Sequence, residues 1–376
     1  MAWTWAAAGQ IDGQSYHSHL GISTTDCSKK HTLELLMKKP RLRTRLEQPR
    51  VVVVDEAPTL PGRHFTQLEF VLRNLSPAHM QGEPWGGRQV LLAGDPHQLG
   101  PVMQEENSRE IFMYETPTWR QTVSSVWGTV FQLPGVHRHA GELVLLQVLH
   151  RIRLGEQTDA DIILLNATSA GVSNAEWDQR TQVRATNVAV DALHDARMAQ
   201  LPAPVVEFRA TDTVLVTHPA RQRYALSKLD GMVAASKEFK VGAVVISTRR
   251  VESVPPGKQG TVTSVAAGVY VECDFGGEVV RVQPQAFDVV DNCGEKLASR
   301  TQIPLVLGWA VTMHRCQGMT LDSLAIDFSK QMWRKQGLVY SGLSRCCTLR
   351  GLLVRGLRHE LIVVSARATR FYASLR

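Results

Sequence analysis

Asp55 and Glu56 close a run of four valines in the stretch VVVVDEAPTL, residues 51–60. A short β-branched run suits a buried strand, and a strand of a parallel sheet delivers whatever follows it to the carboxyl edge, where open α/β sheets bind ligands. Two adjacent carboxylates at that edge suit a magnesium nucleotide. The first holds the metal and the second orients and deprotonates an attacking water. Alone the pair is a weak signal, because many strands end in solvated acids.

The same chemistry asks for further groups, and the chain offers them in order. LLAGDPHQLGPV (91–102) is a second acidic strand end, and its turn presents Gln98, an amide able to sense a terminal phosphate. FQLPGVHRHAGELVLLQVLHRIRLGE (131–156) sets Arg138 just ahead of an amphipathic helix, and GLVYSGLSRCCTLRGLLVRG (337–356) places Arg345 at the end of a short helical stretch. The fixed charge and forked donors of a guanidinium stabilise charge developing on a transferred phosphoryl group. GWAVTMHRCQGMTLDSLAIDF (308–328) offers Thr312, His314 and Gln317 before a glycine turn, small donors able to hold a phosphate backbone. Taken singly, Arg138 reads as a surface charge and His314 as a packed or capping histidine. Their common order is what argues for chemistry.

These groups need a scaffold of alternating strands and helices. The runs at 51–54 and 88–95 flank the helical pattern FTQLEFVLRNL (65–75), a βαβ rhythm that predicts a parallel sheet. A second cycle spaces Leu143, Leu146, Leu149 and Ile152 at helical intervals, then reads as strand, turn and helix through TQVRATN and VAVDALHDARMAQL. From 238 to 292, short alternating runs divided by Gly and Pro predict a small antiparallel β barrel inserted in the second α/β domain. LAIDF (324–328) and LRGLLVRGL (349–357) supply later strands.

Composition sets wider limits. A chain of 376 residues with 44% hydrophobic residues can build two or three packed domains. Its 42 basic and 35 acidic side chains leave a net charge of +7, which favours a polyanionic partner. Cysteines at 27, 273, 293, 316, 346 and 347 form no CxxC pair, so neither a zinc site nor a disulfide framework is expected. No apolar run reaches the ~20 residues of a membrane span. The opening MAWTWAAAG lacks the charged start of a signal peptide, and the reading is of an intracellular chain without a membrane partner.

In order and spacing, VVVVDEA, LLAGDPHQLGPV, VHRHAGE, AVTMHRCQGMTLD and YSGLSRCCTLRGL resemble motifs II, III, IV, V and VI of superfamily 1B DNA helicases. The branch is the petite-integration-frequency family, related to the RecD nuclease subunit. AAAGQIDGQSYHSHLGI (6–22) is similar to motif Ia, and LIVVSARATRFY to the family's closing segment, so the carboxyl end is expected to be complete.

The resemblance implies an α/β fold of two RecA-like parallel-sheet domains, with ATP between them and single-stranded DNA across their top. The first, truncated, would span 1–137; the second would span 138–237 and 293–376 around the barrel at 238–292. Asp55 would hold magnesium, Glu56 would activate water, Gln98 would sense the γ-phosphate, and Arg138 and Arg345 would act as arginine fingers. Nucleotide would also meet Gly94, Asp95 and Gly318, and DNA would meet His17, Thr312, His314 and Gln317. The implied activity is ATP-dependent 5′-to-3′ unwinding by a monomer at single strands and duplex junctions. It would serve repair, recombination, and telomere or organelle genome maintenance, in the nucleus or mitochondrion of a eukaryote or the cytoplasm of a bacterium.

The pattern departs from the family at its front. A Walker A loop, GxxxxGK[ST], should precede motif Ia, yet the only Gly-Lys dipeptide is Gly257-Lys258 in PPGKQGTV, which reads as a β turn. Without that loop the β- and γ-phosphates lose their backbone cradle, and the first sheet loses a strand and a helix, leaving an apolar face uncovered. Pro58, directly after DEA, is a smaller departure. Two expectations follow: a helicase chain lacking an amino-terminal segment, or a catalytically inactive relative that binds single-stranded DNA or regulates. Persistence of Asp55, Glu56, Gln98, Arg138 and Arg345 favours the first.

Overall fold

The computed structural model describes the chain except residues 4–7, 9, 10, 12, 23–27, 102–110, 125–129, 134–137, 185, 292–294, 317, 318, 330–332 and 376, and the side chains of 124, 314 and 315. It divides into two compact units. The first comprises Met1–Val136, Asp291–Glu295 and Val363–Arg376, and the second His137–Val290 and Lys296–Ile362.

In the first unit, helices α1 (Tyr16–Leu20), α2 (Lys29–Met37) and α3 (Pro40–Glu47) lead into strand β1 (Val51–Val54). Ser15 and Ser28 cap the first two, their hydroxyls accepting from the Ser18 and His31 amides. Helix α4 (Gly62–Asn74) then crosses to strand β2 (Gln89–Leu92), and α5 spans Pro117–Ser124. β1 and β2 pair in parallel from Val51–Gln89 to Val54–Leu92. Phe65, Leu68, Val71 and Leu72 recur at helical spacing along α4 and join Val52 and Val54 in one core. The opposite face of the strand pair is open: Val51, Val53 and Leu91 are 45%, 42% and 50% exposed.

The second unit begins with α6 (Leu143–Leu154), α7 (Asp159–Ala167) and α8 (Asn174–Asp178). Then come β3 (Thr181–Arg184), α9 (Asn187–Gln200), β4 (Val206–Arg209), β5 (Thr211–Val214), α10 (Pro219–Met232) and β6 (Ser236–Phe239). Next in the chain are β7 (Val244–Ser247), β8 (Gln259–Ala266), β9 (Tyr270–Asp274), β10 (Val279–Val282), β11 (Gln285–Val290), β12 (Lys296–Gln302) and β13 (Leu305–Leu307). The last elements of this unit are β14 (Ala310–Thr312), α11 (Met313–Cys316), β15 (Leu324–Asp327), α12 (Leu338–Leu343) and β16 (Leu352–Arg355). Strands β14-β3-β15-β16 form an all-parallel sheet, so the expected α/β class is what the chain adopts.

The antiparallel strands reach beyond 238–292 on both sides. β13 closes the five-stranded order β10-β9-β8-β7-β13, and β5 joins β12 and β11. Arg300 on β12 ties this second sheet to α10, donating to Asp212 at 2.7 and 2.6 Å and to Asp230 at 2.9 Å. A guanidinium that is almost fully buried is stable only with such partners.

Helix α13 (Ala366–Ala373) was expected with the second domain, yet the segment from Val363 onward groups with the first unit. Its side chains explain why: Arg367 donates to Glu115 at 2.6 Å, and Phe371 stacks 4.5 Å from Tyr114 and meets Trp119 edge-on at 5.4 Å. Among the described residues no helix is long and apolar enough to cross a membrane.

Candidate functional site

β1 delivers Asp55 and Glu56 to its carboxyl end, both half-buried. Glu56 is left-handed, with φ 48° and ψ 39°, a conformation costing a non-glycine residue on the order of 1–3 kcal/mol unless its surroundings enforce it. They do. The amide and hydroxyl of Thr59 donate to the Glu56 carbonyl at 2.9 and 2.7 Å, and the Ala57 amide donates to the Ala93 carbonyl at 2.8 Å. The left-handed backbone ends the strand's alternation at Glu56, directly after Asp55.

The turn after β2 lies against it. Gly94 has φ 146°, and a Cβ there would stand 2.4 Å from Pro58 Cδ and 3.2 Å from the Ala57 amide nitrogen. Pro58 therefore fills the space that the glycine leaves. Beyond it, Asp95 Oδ1 accepts the His97 amide at 3.0 Å, and the Gln98 amide donates to the Asp95 carbonyl at 3.0 Å. Asp95 is thus a turn former, and half-buried Gln98 follows it in the same loop. Tyr372 of α13 donates to Asp95 Oδ1 at 3.2 Å and stacks flat on His97, with centroids 5.1 Å apart and planes 1° from parallel.

Within the second unit the segments around Arg138, Thr320 and Arg345 knit together. Arg138 donates through Nε to Thr320 Oγ1 at 3.0 Å and through Nη1 to the Ser344 carbonyl at 3.2 Å. Arg345, only 2% exposed, donates to the Ser341 carbonyl at 2.9 Å and to Ser344 Oγ at 3.0 Å. His139 Nε2 lies 3.0 Å from the Cys346 carbonyl, and burial pushes its pKa below the ordinary histidine value. Glu142 Oε2 accepts the Leu349 amide at 3.2 Å, and the Leu321 amide donates to the Arg345 carbonyl at 2.9 Å. Gly351 permits this convergence, since a Cβ there would meet the Asp322 carbonyl oxygen at 2.1 Å. Both guanidiniums thus hydrogen-bond to the stretch 341–344.

The residues expected to grip nucleic acid are less gathered. His17 on α1 lies among aromatic rings, 5.0 Å from Trp3, 5.4 Å from Tyr16 and 6.2 Å from His64. Tyr16 beneath it is locked by a hydrogen bond to Gln67 Oε1 at 2.6 Å. Thr312 ends β14, buried, in register with Arg184 of β3. His314 lies on α11 with its side chain outside the description, and Gln317 and Gly318 lie outside the described residues altogether.

Sequence reading missed Ser344, His139 and Tyr372. Ser344 and His139 adjoin the two arginines and were open to suspicion on that ground. Nothing in RATRFY points to Asp95.

For metal and cofactor, the donor chemistry decides the fit. Asp55 at a strand end has the hard carboxylate oxygens that would suit a magnesium nucleotide, whose other ligands would be phosphate and water. Among the described residues no cluster of three or more His, Cys, Asp or Glu forms a dedicated metal cage. The sequence contains no GxxxxGK[ST] loop of the kind that cradles phosphates.

Comparison with known proteins now bears on this arrangement. Residues 1–157 match a family model described as PIF1-like helicase. The chain is 26% identical over 378 residues to the ATP-dependent DNA helicase Pif1 of Bdellovibrio bacteriovorus, covering 99% of this chain and 81% of that protein. It is 28% identical over 382 residues to the human ATP-dependent DNA helicase PIF1, covering 99% of this chain but 56% of the relative. The chain therefore spans just over half the length of that relative. In fold it resembles the Pif1 helicase from Candida albicans, with a TM-score of 0.79 at 24% identity over 100% of this chain and 88% of the other. A Bacteroides Pif1 in complex with ADP-AlF4 gives a TM-score of 0.75 at 21% identity, over 99% of this chain and 86% of that one.

Proposed function

We propose that the chain, which resembles PIF1-like helicases over residues 1–157 and in its curated relatives, carries the motor chemistry of an ATP-dependent 5′-to-3′ DNA helicase. The observation that carries this reading is the shared frame of Arg138, Ser344 and Arg345, two fixed cations on one hydrogen-bonded scaffold. A binding module has no need of such a pair. Asp55 would hold magnesium, which neutralises phosphate charge when bound. Glu56 takes the proton from the attacking water, Gln98 contacts the terminal phosphate, and Arg138 and Arg345 stabilise charge on the transferred group. Gly94 and Asp95 shape the phosphate-facing turn, with Gly318 on the second unit.

His17, Thr312, His314 and Gln317 grip single-stranded DNA, and duplex junctions are the structures unwound. The protein acts as a monomer in repair, recombination and telomere or organelle genome maintenance, in the nucleus or mitochondrion of a eukaryote or the cytoplasm of a bacterium. The test is DNA-stimulated ATP hydrolysis by the purified 376-residue chain, with unwinding of a 5′-tailed duplex measured beside it. Hydrolysis that Glu56→Gln lowers about 10²-fold or more supports the reading.

The second reading is a catalytically inactive relative that binds single-stranded DNA or regulates. It is favoured by one observation, that these residues contain no GxxxxGK[ST]. Salt-sensitive DNA binding without any hydrolysis selects it.

A further inference from the structure

We propose that Tyr372 is a positioning residue for Gln98, so that the closing helix sets the geometry of the phosphate-sensing turn. The inference rests on the reading of Gln98 given above. Its physical basis is the pair of contacts that Tyr372 makes at once. The phenol hydroxyl donates to Asp95 Oδ1, the same oxygen that accepts the His97 amide, while the ring lies parallel on the His97 imidazole. The Gln98 backbone amide closes onto the Asp95 carbonyl, so Tyr372 contacts two residues of the turn that carries Gln98.

The helix supplying that side chain is itself anchored at two further points. Arg367 pairs with Glu115, whose carboxylate also accepts the Phe112 amide at 2.9 Å, and Phe371 packs between Tyr114 and Trp119. At its start the Ser365 hydroxyl caps the Ala368 amide. These contacts tie α13 to Glu115, Tyr114 and Trp119, and Tyr372 presents its ring to His97 and its hydroxyl to Asp95. A sensing amide loses rate steeply when its geometry drifts, by up to about 10²-fold for displacements on the order of 1 Å.

The experiment uses the full 376-residue chain with Tyr372→Phe, which keeps the stack and removes the hydroxyl, and Tyr372→Ala, which removes both. Amide hydrogen exchange is read at His97 and Gln98, together with kcat and KM for ATP in the presence of single-stranded DNA. Tyr372→Ala should speed exchange at those amides and lower kcat roughly tenfold, with KM changed less than about twofold; Tyr372→Phe should fall between. If Tyr372→Ala fails to fold, the Phe variant decides, and unchanged exchange and kcat there overturn the proposal. Lower thermal stability with unchanged kcat in either folded variant makes Tyr372 merely structural and also overturns it. If the parent chain hydrolyses no ATP, the reading of Gln98 fails instead, and exchange at His97 and Gln98 alone judges whether Tyr372 holds the turn.

Discussion

Arg138 and Arg345 meet at a single residue: Arg138 Nη1 donates to the Ser344 carbonyl at 3.2 Å, and Arg345 Nη2 donates to the Ser344 hydroxyl at 3.0 Å. Two guanidiniums 207 positions apart are thus referred to one short stretch after α12, which fixes their relative placement. Fixed donors act on developing charge without reorganising, and that is where electrostatic catalysis draws its strength.

The shared frame makes the two cations energetically coupled. Arg138→Ala and Arg345→Ala should each lower DNA-stimulated kcat about 10³-fold, the scale of an arginine finger. Ser344→Ala keeps the carbonyl held by Arg138 and removes only the hydroxyl, so a loss of roughly tenfold or less is expected. The double arginine variant should lose far less than the product of the single losses. Losses that simply multiply in steady-state assays would rule out the common frame.

Gly94 brings the turn after β2 close against Pro58 in the turn after β1. Gly94→Ala brings a Cβ against Pro58 Cδ and places a side chain at φ 146°, so a destabilisation of about 1–3 kcal/mol is expected in urea unfolding. Adding Pro58→Ala should recover the part due to the clash but not the part due to the backbone. A single variant as stable as the parent would show that the close approach is unnecessary.

His19 predicts how stability depends on pH. Burial, reinforced by the neighbouring charge of Arg45, pushes its pKa from 6.5 down to about 4. The folded chain therefore favours the neutral imidazole. Its contribution is complete above the unfolded value of 6.5 and is lost as pH falls through about 4, because the unfolded state takes up the proton first. Chemical unfolding between pH 7 and pH 4 should show a steeper loss for the parent than for His19→Gln. Parallel curves would remove His19 from the account.

Single-stranded DNA binding should weaken as salt rises, with log K linear in log salt, because phosphate contacts release counterions. His17→Ala should cost on the order of 1 kcal/mol of that affinity, the scale of one aromatic contact to a base, with little change in the salt slope. Affinity indifferent to both salt and His17, measured by fluorescence anisotropy, would move the DNA grip elsewhere.

Much of this was legible from local pattern. A β-branched run ending in Asp55-Glu56, a helical period through Phe65, Leu68 and Leu72, and a second strand ending at Gly94-Asp95 each declare themselves within a few residues. Side-chain periodicity and β-branching act at that range, so the parallel α/β class and the order of the acidic, amide and arginine segments could be read before any contact was known.

Pairing over long separations was not legible. β5 and β13 lie outside the window where alternation is plain, because strands of four and three residues carry too little pattern to announce a partner. The return of α13 to the first unit depends on Arg367, Phe371 and Tyr372 finding Glu115, Tyr114 and His97 more than 250 positions earlier. Nor does local preference show the left-handed Glu56, which runs against it and is imposed by Thr59 and by the neighbouring turn. The sequence by itself determined which groups stand at the ends of which strands, since that follows from short-range sterics and periodicity. Only the tertiary structure decided that Ser344 joins two arginines and that Tyr372 braces Asp95, since a hydrogen bond across hundreds of residues is chosen by the packed fold.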